Sequence, residues 1–157
     1  MSNPPRPVAP DSLAKLRQSV LADDLSFLLA RASAAAVAAG NAALSPHGLR
    51  ARSYSVLALA ASDDRPTQRE LSQFLRLDPS QIVALVDDLQ DRGLVERVSD
   101  PLDRRANVVT ATEQGLTVFA AAHEAARAAQ ADGSSHLDLD DRLALADLLK
   151  RVALSAD

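Results

Sequence analysis

The stretch PTQRELSQFLRLDPSQIVALVDDLQDRGLVERVSDPLDRRANVVTAT, residues 66–112, decides the fold. It opens on Thr67-Gln68-Arg69-Glu70, the spacing of a capping box. The threonine hydroxyl accepts from the backbone N–H three residues on, and the glutamate carboxylate reaches back. The short helix so started sets Leu71, Phe74 and Leu75 on one face. Asp78-Pro79 then begins a second helix, with Asp as N-cap and Pro at the first helical position, where its missing N–H leaves no bond unmade. Ile82, Leu85, Val86 and Leu89 recur at helical offsets and form the buried stripe of this helix, which Gly93 stops.

Behind it, residues 94–98 and 107–110 read as two strands around the polar, turn-rich loop 99–105. Two capped helices separated by a turn make a helix-turn-helix. A hairpin directly after the second helix is a wing, and Arg104 and Arg105 stand at its tip. The fold class that follows is mainly α: a winged helix-turn-helix with a small β-hairpin, joined to further helices at both ends.

Outside this lobe, residues 1–10 hold four prolines and read as a flexible N-terminal arm. From about Asp11, apolar residues recur at three- and four-residue steps, which predicts one helix running to a stop at Gly40-Asn41. Ser45-Pro46 opens another, carrying Tyr54, Leu57 and Ala61. After Thr112 a helix bears Leu116, Phe119, Ala120 and His123 along one face until residues 131–133. A last one spans 138–152, with Asp138, Asp140 and Asp141 at the end where its dipole favours acids. The expected organisation is one intertwined domain: helical dimerisation regions at 11–44 and 113–157, and the winged helix-turn-helix lobe, expected to bind DNA if the fold serves its usual use, at 45–112. Terminal segments this apolar would be poorly covered within one small monomer, and pairing with a second copy covers them.

Bulk properties narrow the function. The 157 residues are 47% hydrophobic but only 3% aromatic, which suits close helix packing better than a β-sandwich. There is no cysteine, so disulfides, cysteine-ligated zinc and thiol redox sensing are excluded within the chain. The three histidines, His47, His123 and His136, are too scattered for a zinc site. No signal-peptide core and no apolar run near bilayer length is evident, so a cytoplasmic location is expected. Five scattered glycines form no phosphate loop, and no Ser-His-Asp signature occurs; the chain is not read as an enzyme, and no cofactor is expected.

At this point the chain resembles the MarR family of transcriptional regulators. The resemblance covers nearly the whole length. It is most specific at Gly93-Leu94-Val95, seven residues, Asp103-Arg104-Arg105, six residues, then Thr112 and Gly115. It implies a homodimer on a pseudo-palindromic operator, with the helix from Pro79 in the major groove and the Asp103-Arg104-Arg105 wing in the minor groove. It also implies control by a small ligand, often an aromatic acid, with repression as the output.

The DNA-contacting residues so expected are Thr67, Gln68, Ser80, Gln81, Ala84, Arg104 and Arg105, with Asp103 orienting the wing. Ser80 and Gln81 either complete a helix start or reach base edges, Gln favouring adenine; base contact is the reading taken. The exposed face of the second helix, Ser80, Gln81, Ala84, Asp87 and Asp88, departs from the small polar or basic residues the family commonly carries there. Residues 66–112 hold six arginines against eight acids, a net charge of −2, whereas a DNA-binding surface should be basic. Asp87 and Asp88 are therefore read as ion-pair partners of Arg92, Arg97 or the wing. The acidic balance also sustains an alternative, a winged-helix module that binds protein without sequence-specific DNA binding. Tyr54, His47 and Arg31 are read as core and surface residues, and effector-binding residues remain unassigned.

Overall fold

The computed structural model describes residues 14–100 and 106–155. The chain divides within one helix into two compact units, up to Val37 and from Ala38 on. That helix, α1, is Leu25–Leu44. The continuous helix expected from Asp11 is interrupted by a 3-10 turn, Val20–Asp23, after which Asp24 is extended (φ −80°, ψ 112°). The Asp24 carboxylate accepts from the Phe27 backbone N–H at 2.7 Å, so it caps a new start. Nor does α1 stop at Gly40-Asn41. Asn41 turns its side-chain oxygen outward to accept from the Ala51 N–H at 2.8 Å, serving the start of the next helix, while α1 runs on to Leu44.

The segment Leu25–His47 has a mean hydropathy of 1.4 and is long and apolar enough, by length and composition, to cross a bilayer, contrary to the sequence expectation. Much of its apolar character is alanine, and Arg31 and Asn41 interrupt it. Within the first unit its larger side chains are open to solvent, Leu25 at 67% and Leu28 at 44%.

In the second unit, Ser45-Pro46 opens a single 3-10 turn (Ser45–His47) and no longer helix, because Gly48 takes a left-handed conformation (φ 68°). Helix α2 (Ala51–Ala60) then starts at Arg50, whose N–H donates to Ser53 Oγ at 2.9 Å. Next come α3 (Gln68–Leu75), α4 (Pro79–Asp91), β1 (Val95–Ser99), β2 (Asn107–Ala111), α5 (Glu113–Gly133) and α6 (Leu139–Ala153). The strands pair antiparallel from Val95 opposite Ala111 to Ser99 opposite Asn107. Chain just ahead of α3 extends this ladder: Val109 N–H donates to Pro66 O at 2.8 Å, and Thr67 bridges to Val108.

One core joins α2, α3, α4 and the hairpin. Leu44, Leu49, Val56, Leu57, Leu71, Ile82, Val86, Leu89, Leu94, Val95 and Val109 are each at most 3% exposed. The stripe expected on α4 is thus buried at Ile82, Val86 and Leu89, with Leu85 half-buried beside it. Two expectations about the core faces fail. Phe74 does not join Leu71 but is 56% exposed. On α5 the inner face is Gly115, Val118, Phe119, Ala122 and Ala126, not the Leu116–Phe119–Ala120–His123 line, and Leu116 is exposed. Gly115 decides this register: a Cβ there would lie 1.9 Å from Leu94 O, so only glycine lets α5 sit against the base of the wing.

Helix α6 is capped by Asp138, whose carboxylate accepts from the Asp141 N–H, with Asp140 and Asp141 in its first turn as expected. Among the described residues, little covers its apolar side chains. Leu139, Leu143, Leu148 and Val152 are 53–65% exposed.

Candidate nucleic-acid interface

The outer surface of α3 and α4 is built from two capping boxes. At α3, Thr67 Oγ1 accepts from the Glu70 N–H at 3.2 Å and donates to Glu70 Oε2 at 2.8 Å, while Thr67 N–H donates to the same carboxylate at 2.7 Å. These bonds, from the Thr67 N–H first and its hydroxyl second, hold the Glu70 carboxyl below its ordinary pKa. At α4, Asp78 Oδ1 accepts from the Ser80 hydroxyl at 2.5 Å and from the Ser80 N–H at 2.8 Å, which lowers the Asp78 pKa likewise, hydroxyl first. Gln81 completes the second box, its Oε1 accepting from the Asp78 N–H at 3.4 Å.

Ser80 and Gln81, set on the exposed first turn as expected, therefore commit the Ser80 hydroxyl and the Gln81 side-chain oxygen to starting the helix. Thr67 is engaged in the same way. Gln68 Oε1 accepts from Arg97 Nε at 2.6 Å, and its amide N–H groups have no partner among the described residues. Ala84 is exposed on the middle of α4. Asp103, Arg104 and Arg105 lie outside the described residues. The hairpin below them is closed by Asp100 N–H donating to Ala106 O at 2.9 Å.

Arg97 is the residue that sequence reasoning undervalued. From β1 it donates to Gln68 on α3, to Gln90 at 2.8 Å and to Asp87 at 2.5 Å on α4. One guanidinium thus ties the wing strand to both helices, using the fork of donors that lysine lacks. Strand alternation carried the signal, since residues 95 and 97 share a face and Val95 is buried. Asp88 is paired with Arg92 at 3.1 Å. Asp87 and Asp88 are thereby each matched by an arginine, as the sequence suggested. Arg69, exposed on α3, has no partner among the described residues.

The base of the wing is pinned where Gly93 (φ 69°) releases the chain from α4. Thr112 Oγ1 donates to Gly93 O at 2.6 Å and accepts from the Gly115 N–H at 3.0 Å, while its own N–H donates to Leu94 O. The wing spacing thus has a mechanical meaning: Gly93, Thr112 and Gly115 fasten the two ends of the hairpin together.

Away from this surface, Tyr54 on α2 hydrogen-bonds His123 Nδ1 on α5 at 2.8 Å and stacks with Phe119 at 6.0 Å. Partial burial raises the Tyr54 pKa, so the phenol stays protonated. His47 is half-buried in the 3-10 turn and Arg31 is exposed on α1.

Comparison with known proteins gives this geometry its family. A MarR family model matches residues 43–106, the lobe up to the wing. A Thauera aromatica protein assigned to transcriptional regulation of the hcr operon is 30% identical over 92% of this chain and 87% of its own length. A MarR-family transcriptional regulator from Rhodococcus sp. RHA1 superposes with a TM-score of 0.81 at 38% identity, covering 88% of this chain and 99% of that one. CouR from Rhodococcus jostii RHA1, whose structure holds p-coumaroyl-CoA, superposes with a TM-score of 0.77 at 41% identity, covering 87% and 95%. With the winged helix-turn-helix formed as its residues predict, and a relative this similar along most of both chains, the protein belongs to the MarR family of transcriptional regulators.

Proposed function

We propose that this chain is a cytoplasmic repressor that acts as a homodimer, binds pseudo-palindromic operator DNA and is released by a small aromatic ligand. The observation that carries the reading is the row of exposed leucines on α6, beside a lobe whose own core is complete. Apolar rows of this length seldom stay in water, and a two-fold copy of the same helix is a self-complementary cover. On this reading α1 and α6 form the dimerisation region, and the hydropathy of α1 belongs to that interface and not to a membrane.

Each lobe then presents α4 to the major groove and its wing to the minor groove. Gln68 and the backbone around Ser80 and Gln81 contact DNA at the helix starts, and Thr67 sets the start of α3. Arg104 and Arg105 enter the minor groove, where the negative potential is deepest, with Asp103 orienting them. Pairing with Arg97 and Arg92 neutralises Asp87 and Asp88 locally on α4, and Arg69, Arg104 and Arg105 supply the phosphate and minor-groove contacts although the sum of the lobe stays at −2. The ligand class follows from CouR, seen with p-coumaroyl-CoA: an aromatic acid or its coenzyme A thioester.

A gel-shift titration with genomic fragments at several salt concentrations tests the DNA reading. Affinity should fall linearly in log–log form as phosphate contacts are lost, and Arg104→Ala with Arg105→Ala should abolish it while the dimer survives. Binding unaffected by the double substitution would show that the wing makes no contact. The ligand reading is checked by thermal shift against p-coumaroyl-CoA and simple aromatic acids, since a ligand of the folded state raises Tm.

A further inference from the structure

We infer that Val83, with Ala84 beside it, is a base-reading surface of α4, and that the group it reads is the 5-methyl of thymine in each operator half-site. The inference rests on the DNA reading above and deepens it. Ser80, Val83, Ala84 and Asp87 share one exposed stripe of α4, at helical offsets of three, four and seven. The polar members of that stripe are engaged: Ser80 donates its hydroxyl to Asp78, and Asp87 accepts from Arg97. What this stripe itself leaves for a base edge is apolar.

Val83 is 41% exposed although Ile82, Val86 and Leu89 already fill the buried stripe of the same helix. It lines an open groove with Pro79, facing Gln68, Arg69, Ser72 and Gln73 of α3. That lining suits a DNA edge: a branched apolar side chain, amides beside it, and Arg69, without a partner among the described residues, for a phosphate. Among base pairs in the major groove, only those with thymine present a methyl group, and apolar side chains recognise it by contact. The departure of this face from small polar or basic residues then becomes a preference for thymine in place of guanine.

The test uses a duplex selected by the protein itself from a randomised library, remade with each thymine in turn replaced by deoxyuridine, which differs only in lacking the methyl. Wild-type protein should bind about fourfold more weakly when the critical thymine of one half-site is replaced, the worth of one buried methyl. The loss should repeat when the symmetry-related thymine is also replaced. Val83→Ala, exposed and outside the core, should keep the wild-type Tm and bind thymine and uracil duplexes equally at that position. Selective binding with no sensitivity to any replacement overturns the inference while leaving the DNA reading intact. Sensitivity that persists in Val83→Ala assigns the methyl contact elsewhere and overturns it too. If no duplex is selected at all, the DNA reading itself fails, and the groove beside Val83 is left to a protein partner.

Discussion

The winged lobe and the terminal helix α6 carry apolar residues at the same helical spacing, and the chain treats them in opposite ways. Ile82, Val86 and Leu89 of α4 are wholly buried, whereas Leu139, Leu143 and Leu148 of α6 are more than half exposed. Periodicity reports that a face will be buried, but not by what. The lobe buries its stripe against its own hairpin and helices; among the described residues of the same unit, α6 has no such neighbour. The lobe packs on itself, and on the proposed reading α6 is half of an interface.

The contrast is broken most severely on α6. Leu143→Asp with Leu148→Asp should leave the lobe folded yet abolish dimerisation. Each leucine contributes about 2 kcal/mol when buried, and a two-fold interface counts it twice. Sedimentation equilibrium reads the mass, and the far-ultraviolet spectrum should show a lobe still helical. Next in size is Gly115→Ala, whose methyl would meet Leu94 O and force α5 off the wing base. A loss of about 3 kcal/mol in urea unfolding is expected, at the upper end for overpacking because the obstacle is backbone. Arg97→Ala follows, leaving Gln68, Gln90 and Asp87 without their shared donor. With Asp87 half exposed, the stability cost should be about 1 kcal/mol, but DNA affinity should fall further because the wing strand loses its tie to α3 and α4. Thr67→Ala, which opens the capping box of α3, should cost about 1 kcal/mol of stability.

The smallest effect is with pH. Glu70 and Asp78 both have folded-state pKa values lowered by hydrogen bonds that favour the carboxylate. Their contribution is present above the unfolded carboxylate range, about pH 4, and is lost as the pH falls through the lowered values. Both groups are exposed, so a shallow fall in Tm on acidification is expected, flattened further in a Thr67→Ala, Ser80→Ala variant.

Much of the lobe was legible because its signals are local. Thr67 with Glu70 and Asp78 with Pro79 mark helix starts within a single turn, and Gly93 marks a stop that needs a left-handed residue. The misreadings came where distant partners decide. Asn41 looked like a helix stop because its bond to Ala51, ten residues away, is invisible in a local window. The α5 stripe was misplaced by one position because the close approach of Gly115 to Leu94 sets it, and small residues weigh little in a hydrophobic pattern. Ser80 and Gln81 were legible as exposed, but the sequence left open whether their polar atoms face DNA or the helix start, and the hydrogen bonds are to Asp78.

The central claim is that a self-sufficient lobe is carried on helices completed by a second copy. Sedimentation equilibrium of the intact protein across micromolar concentrations tests it directly. A single species of twice the chain mass, reduced to one chain by Leu143→Asp with Leu148→Asp, is the predicted result. A compact species of one chain mass at every concentration would contradict it.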